Sequence, residues 1–261
     1  MSILAPLSKR LKAASALIAL SVLAVAGCTQ KPQAAADAPV AKSKAAITEP
    51  LPYDPKLVQM ATSAATQAIT EAKTKPAVAS KDYDEIANGQ PYQPLDGKIE
   101  VVEVFAYSCP HCADFEPLLE AWTKQQPANV RVTPLPLAGG AVSDLGRTYF
   151  AALKTNQLQG IHTRMFYGIH GDKSLPAGAS ANDIAAWLGK QGYDGKTFRA
   201  TMASTDVQQQ MQQAHDFEVR SGVEATPTLI VNGKYRIKGP SQLDDLRIVS
   251  ALIARESGGG K

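Results

Sequence analysis

Two cysteines three positions apart, Cys109 and Cys112, are the residues in this sequence best suited to chemistry. They bracket Pro110 and His111. Downstream, to Gln126, Phe115, Leu118, Leu119 and Trp122 recur at helical spacing, so Cys109 falls just before the first turn of a predicted helix. Its sulfur there faces unpaired backbone N–H groups and the positive end of the helix dipole, and both favour thiolate over thiol. His111 adds a donor, and a full charge when protonated. Pro110 takes the first helical position, where its missing N–H costs nothing. Cys112, one turn in, can close a small ring with Cys109. A stabilised thiolate favours the reduced pair and makes the disulfide a stronger oxidant. One unit of thiol pKa is ~1.36 kcal/mol, or roughly 30 mV for this two-electron couple.

Other uses of a C-x-x-C pair fit less well. A structural disulfide at this spacing is strained. A zinc half-site needs a second cysteine or histidine pair, and the chain has only three cysteines. A copper carrier would need Met or His ligands at short spacing, whereas His162 and His170 are eight apart with no clear helical phase. Those two and His215 have no partner legible in the sequence, so core or surface roles are expected for them.

The third cysteine, Cys28, has a different setting. Lys9, Arg10 and Lys12 precede an apolar run, Ala13 to Ala26, that is short for a membrane span. Val25-Ala26-Gly27-Cys28 then resembles a bacterial lipobox, in which the signal (1–27) is cut before a lipidated cysteine. Two or three acyl chains, at ~0.8 kcal/mol per buried CH₂, anchor firmly where one is marginal. An ordinary cleaved signal and an uncleaved anchor are the other readings. Thr29 in place of Asp leans weakly toward the outer membrane. Residues 29–81 hold 14 Ala, 6 Pro, no Gly and one aromatic, Tyr53, so 28–81 is expected to be a flexible tether. A weak helix over Lys56–Lys75, with a thin apolar face, is the one element expected in it.

Of the 261 residues, 44% are hydrophobic, enough for a substantial core. The formal net charge of +3 resides in residues 1–27, and the remainder balances 24 basic against 24 acidic residues. Nucleic-acid binding therefore lacks an electrostatic footprint.

Composition changes near Asp82, where the catalytic unit, 82–258, is expected to begin. Lys98–Tyr107 is dense in β-branched residues and reads as a buried strand. Asn129–Pro136 is a second strand. Gly139 to Met202 carries helical patterns, and Thr205–Arg220 a further helix. Thr228–Val231 and Tyr235–Lys238 form a hairpin around Asn232-Gly233. Gln242–Arg255 is a closing amphipathic helix, and 259–261 a flexible end. This is an α/β order with a helical block, 138–204, set into a thioredoxin-like frame of 82–137 and 205–258.

Phe105 to Glu116, FAYSCPHCADFE, closely resembles the active-site segment of the DsbA family of thiol:disulfide oxidoreductases. Gly222 to Tyr235, GVEATPTLIVNGKY, resembles a second family block, and Gly89 to Leu95 looks like its first strand. The resemblance implies that Cys109 is the exposed nucleophile and Cys112 the buried resolving thiol. It implies that Thr226-Pro227 is a cis-proline loop facing the cysteines, with the Thr226 backbone open to a peptide strand. It also makes Glu103 a buried acid beneath the disulfide, able to accept the proton of Cys112. The family's usual lysine partner for that acid is absent. The expected register puts Val132 there and turns Arg131 to the opposite face. Pro117 is expected to kink the active-site helix without ending it.

The resemblance implies a periplasmic enzyme, lipid-anchored at Cys28, that donates disulfides to unfolded exported proteins and is reoxidised by a quinone-linked membrane protein. No bound cofactor is implied. A disulfide isomerase or reductase is the nearest alternative, and a non-catalytic lipoprotein holding peptide or metal a more distant one.

Overall fold

A computed structural model describes residues 53–140 and 143–258. The expected signal peptide, the Cys28 lipobox, the first part of the tether and the 259–261 end lie outside the described residues.

Among the described residues, five strands form one mixed sheet: β1 (Tyr83–Glu85), β2 (Ile99–Phe105), β3 (Val130–Pro136), β4 (Thr228–Val231) and β5 (Tyr235–Ile237). Their spatial order is β1-β5-β4-β2-β3. β2 runs parallel to β3 and antiparallel to β4, and β5 pairs antiparallel with both β4 and β1. All seven residues of β2 are buried, as its unbroken β-branched run requires for a central strand covered on both faces. Asn232 (φ 52°) and Gly233 (φ 64°) make the turn between β4 and β5, the left-handed backbone that Asn-Gly supplies at little steric cost.

Two helical layers cover the sheet. Val102, Val104 and Ile230 face α3 (Ser143–Lys154), α4 (Leu158–Phe166), α5 (Ala181–Lys190), α6 (Gly195–Met202) and α7 (Thr205–Arg220). α4 runs on as a single wide π-helical turn, Tyr167–Gly171. On the other face, Val101, Leu229 and Val231 pack against α1 (Pro55–Ala72), α2 (Pro110–Thr123) and α8 (Gln242–Ser257). α2 buries Phe115, Leu119 and Trp122, and the Trp122 indole donates to Ser250 Oγ on α8 at 2.9 Å. Pro117 sits inside α2, which continues six residues beyond it.

Two sequence expectations need correction. The segment to residue 81 is not all tether. α1 buries Ala61, Ala65 and Ala68 against α2 and α8. Its apolar face is thin because it is made of alanines, and small side chains let helices approach closely. Lys75 and Asp82 are also tied down, both to Arg247 of α8. Secondly, Gly89–Leu95 is not a strand. β1 precedes it, and Pro91 and Pro94 remove donors that a ladder would need. Gly89 instead permits close backbone approach: a Cβ there would run into the Gly233 carbonyl oxygen.

Candidate active site

β2 delivers the chain to the site and α2 carries it away. After Phe105, the Cys109 N–H donates to the Ala106 carbonyl at 3.0 Å, closing a tight turn. Cys109 then caps α2 in extended conformation (φ −83°, ψ 118°), with Pro110 at the first helical position. The Cys109 side chain makes no capping bond to the helix, so its half-exposed sulfur is left beside the N-terminus. Cys112 is fully buried one turn on. Both thiols are free. Burial pushes the Cys112 thiol far up, and the neighbouring Glu103 carboxyl adds to this. His111 is exposed, and its carbonyl accepts a 2.7 Å bond from Gln242 of α8.

Thr226-Pro227 is cis. The loop meets the nucleophile through its backbone: the Cys109 thiol donates to the Thr226 carbonyl at 3.3 Å. Thr226 and Pro227 are both half-buried, so this edge of the cleft remains reachable.

Glu103 is 1% exposed, and neither of its carboxyl oxygens has a hydrogen-bond partner among the described residues. Burial raises its pKa well above the usual carboxylate range, with Glu116 and Cys109 adding in the same direction. Three residues earlier on β2, Glu100 is as deeply buried but well compensated. It accepts from Tyr92 N (2.7 Å) and Gln93 N (3.2 Å) and pairs with Arg131 at 2.8 Å. Arg131 thus serves the opposite face from Glu103, as its register opposite Glu100 dictates. Val132 lies opposite Val101, on the Glu103 side.

Four residues at this site had no role in the sequence reading. Tyr107, Glu116, His162 and His170 join α4 and its π turn to the start of α2. Tyr107 Oη lies 2.7 Å from His162 Nδ1. His162 Nε2 is 3.3 Å from Glu116 Oε1, within ion-pairing distance though off the line of a hydrogen bond. His170 Nε2 donates to the Tyr107 carbonyl at 2.8 Å. The His162 ring meets Phe105 edge-on, with centroids 5.2 Å apart. Glu116 was discoverable in principle, being four residues past Cys112 on one helix face. The histidines were not, because their partners are distant in the chain.

Residues 100–249 match the model of the DSBA-like thioredoxin domain family. The thiol:disulfide interchange protein DsbA of Pseudomonas aeruginosa is 34% identical over 191 residues, spanning 70% of this chain and 87% of that one. The chain belongs to the DsbA family. It is accordingly a thiol:disulfide oxidoreductase of thioredoxin-like fold. The protein of the same name from Bordetella parapertussis is 32% identical over 187 residues, covering 69% of this chain and 88% of that one. The crystal structure of the oxidoreductase DsbA from Xylella fastidiosa superposes with a TM-score of 0.68 at 37% identity. All of that chain is covered, and 71% of this one.

Proposed function

We propose that this DsbA-family chain is a periplasmic disulfide donor acting through Cys109 and Cys112. The observation that carries the reading is the asymmetry of the pair: a half-exposed Cys109 at a helix N-terminus and a fully buried Cys112. A thiolate of an unfolded exported protein attacks Sγ of Cys109 in the oxidised enzyme. The S–S bond breaks and Cys112 leaves with the electron pair. Glu103, held protonated by burial, passes its proton to the buried leaving thiolate and takes another from solvent. A second substrate thiolate then attacks the substrate sulfur of the mixed disulfide and expels Cys109 as thiolate. Two electrons have passed from substrate to enzyme, and the substrate keeps the disulfide.

Reoxidation reverses these roles. Cys109 thiolate attacks the disulfide of a quinone-linked membrane protein. Glu103 yields its proton to solvent, accepts that of Cys112 and is neutral again, and Cys112 closes the ring. His111 supports the Cys109 thiolate from the exposed side. The Thr226 backbone, beside Pro227, receives the substrate chain as an added strand. Lipid on Cys28 holds the enzyme to a membrane.

The test is equilibration of the purified protein with glutathione redox buffers, with Cys109 and Cys112 alkylated and counted. An oxidising pair that passes its disulfide to reduced, unfolded substrate supports the proposal. A pair that stays oxidised in strongly reducing buffer would make the protein a reductase. For the anchor, Cys28→Ser should abolish acyl labelling and leave exchange intact, and persistent labelling refutes lipidation there.

A further inference from the structure

A π turn takes one residue more than an α turn and is often found where a helix serves a site. In the turn that follows α4, the Asp172 N–H donates to the Tyr167 carbonyl, five residues back, at 3.1 Å. The turn directs His170 at the main chain of the redox loop, where Nε2 donates to the Tyr107 carbonyl at 2.8 Å. Tyr107 lies two residues before Cys109, inside the turn that the Cys109 N–H closes on the Ala106 carbonyl. The Ala106 backbone also hydrogen-bonds Cys112. One short loop, Ala106 to Cys109, thus bears on both thiols, and His170 holds its main chain from the helical block. Both partners of that bond are braced. The Tyr107 ring is buried edge-on against Phe105 and Phe166, with centroids 5.0 Å from each, and its Oη lies against His162. The His170 ring lies 6.4 Å from that of Phe166, tilted by 35°. Gly168, two residues earlier, packs directly on Trp187 of α5, whose indole donates to Ser174 Oγ at 2.8 Å. The Leu175 N–H returns to the Gly168 carbonyl at 2.9 Å. The donor is therefore carried on a fixed support.

We propose that His170 is a positioning residue for disulfide exchange: through the Tyr107 carbonyl it fixes the loop that sets Cys109 and Cys112 against each other. This deepens the redox reading of that pair and rests on it. When the reduced enzyme meets glutathione disulfide, the Cys109 thiolate bonds to one glutathione sulfur and the other leaves as thiolate. Cys112 then gives up its proton to Glu103 and attacks Sγ of Cys109, and the second glutathione leaves as thiolate. The enzyme loses two electrons, and the glutathione disulfide gains them. The second step is intramolecular, so its rate depends on how closely the two sulfurs are held in reacting geometry. The first step asks less of the loop, because Cys109 is half-exposed and the outside disulfide orients itself. Loss of the His170 bond should therefore slow ring closure and spare the first attack. The role calls for a hydrogen-bond donor at this point rather than a charge.

The experiment mixes the reduced full-length protein with glutathione disulfide at pH 7, quenches with acid at intervals, and follows the glutathione adduct on Cys109 by mass spectrometry of peptides. His170→Leu should slow loss of the adduct about tenfold, short of the ~100-fold that a displacement of about 1 Å can cost, while adduct formation stays within about twofold of wild type. His170→Gln, whose terminal amide can donate to the same carbonyl, should regain most of the closure rate. Closure unchanged in His170→Leu overturns the proposal. An equal loss in His170→Gln also overturns it, since a histidine that only fills space or carries charge would give that result. So does adduct formation that slows as much as closure, the mark of a general loosening. Should His170→Leu fail to fold, His170→Phe keeps a ring beside Phe166, lacks the donor, and is read by the same outcomes. A wild type that forms neither adduct nor disulfide would instead overturn the redox reading itself.

Discussion

Glu103→Gln should change how stability depends on pH more than it changes the fold. The substitution keeps the shape and removes a buried carboxyl that has no hydrogen-bond partner among the described residues. The folded-state pKa of Glu103 is raised well above its ordinary value, chiefly by burial. In the unfolded chain it titrates near ~4.3. Below that pH both states are protonated and the group contributes no slope. Between ~4.3 and the folded pKa, the unfolded state ionises and the folded state does not. Stability then falls as pH rises, by about 1.36 kcal/mol per unit, and levels off above the folded pKa. From pH 5 to pH 7 this single group accounts for up to about 2.7 kcal/mol of lost stability. Glu103→Gln should lack that component. Urea unfolding of the reduced protein at pH 5, 6 and 7, wild type against variant, isolates it, since other titrating groups are common to both. Parallel stability curves would refute the claim that Glu103 is buried and uncharged. The same variant should slow both steps in which Cys112 gains or loses a proton, without altering alkylation of Cys109.

Arg131→Met should destabilise the fold by about 3–5 kcal/mol, because it leaves the fully buried Glu100 carboxylate without its ion partner. Adding Glu100→Gln should restore part of the loss in urea unfolding, and no restoration would mean that Arg131 acts through packing alone. Glu218 on α7 accepts from Ala138 N at 3.0 Å, where the chain leaves β3 for the helical block. Burial pushes its pKa up to about 7, against the pull of that bond. Its raised pKa makes stability fall with pH between ~4.3 and about 7, so Glu218→Gln should flatten this part of the curve. An unchanged slope there would contradict a buried Glu218.

What the sequence made legible follows from which interactions are local. The start of α2, the Cys109 cap and the β4–β5 turn each depend on a few adjacent residues: Cys109-Pro110, the Phe115 to Trp122 spacing, and Asn232-Gly233. All three stand where the pattern put them. The Arg131 and Val132 register was also readable, because a strand fixes the face of every side chain once one is placed. α1 was underrated because hydrophobic content measures how much surface a helix can bury. The Ala61, Ala65 and Ala68 seam works by closeness, and only its neighbours α2 and α8 reveal that.

The two acids of β2 mark where local reading stops. Glu100 and Glu103 stand three apart on one buried strand, and nothing local assigns them different states. Their difference comes from the opposite faces of the sheet. The Glu100 face receives Arg131 and the N–H groups of Tyr92 and Gln93, which the Pro91 and Pro94 loop leaves free of any ladder. The Glu103 face receives α2, with Cys112 and Glu116, and no cation among the partners described. A carboxyl on the first face has an ion partner and two N–H donors, and one on the second has neither. The fold thus ties one glutamate into an ion pair and leaves the other a neutral acid beside a thiol. That second state lets a buried cysteine change protonation while the charge rests on Glu103 only in passing.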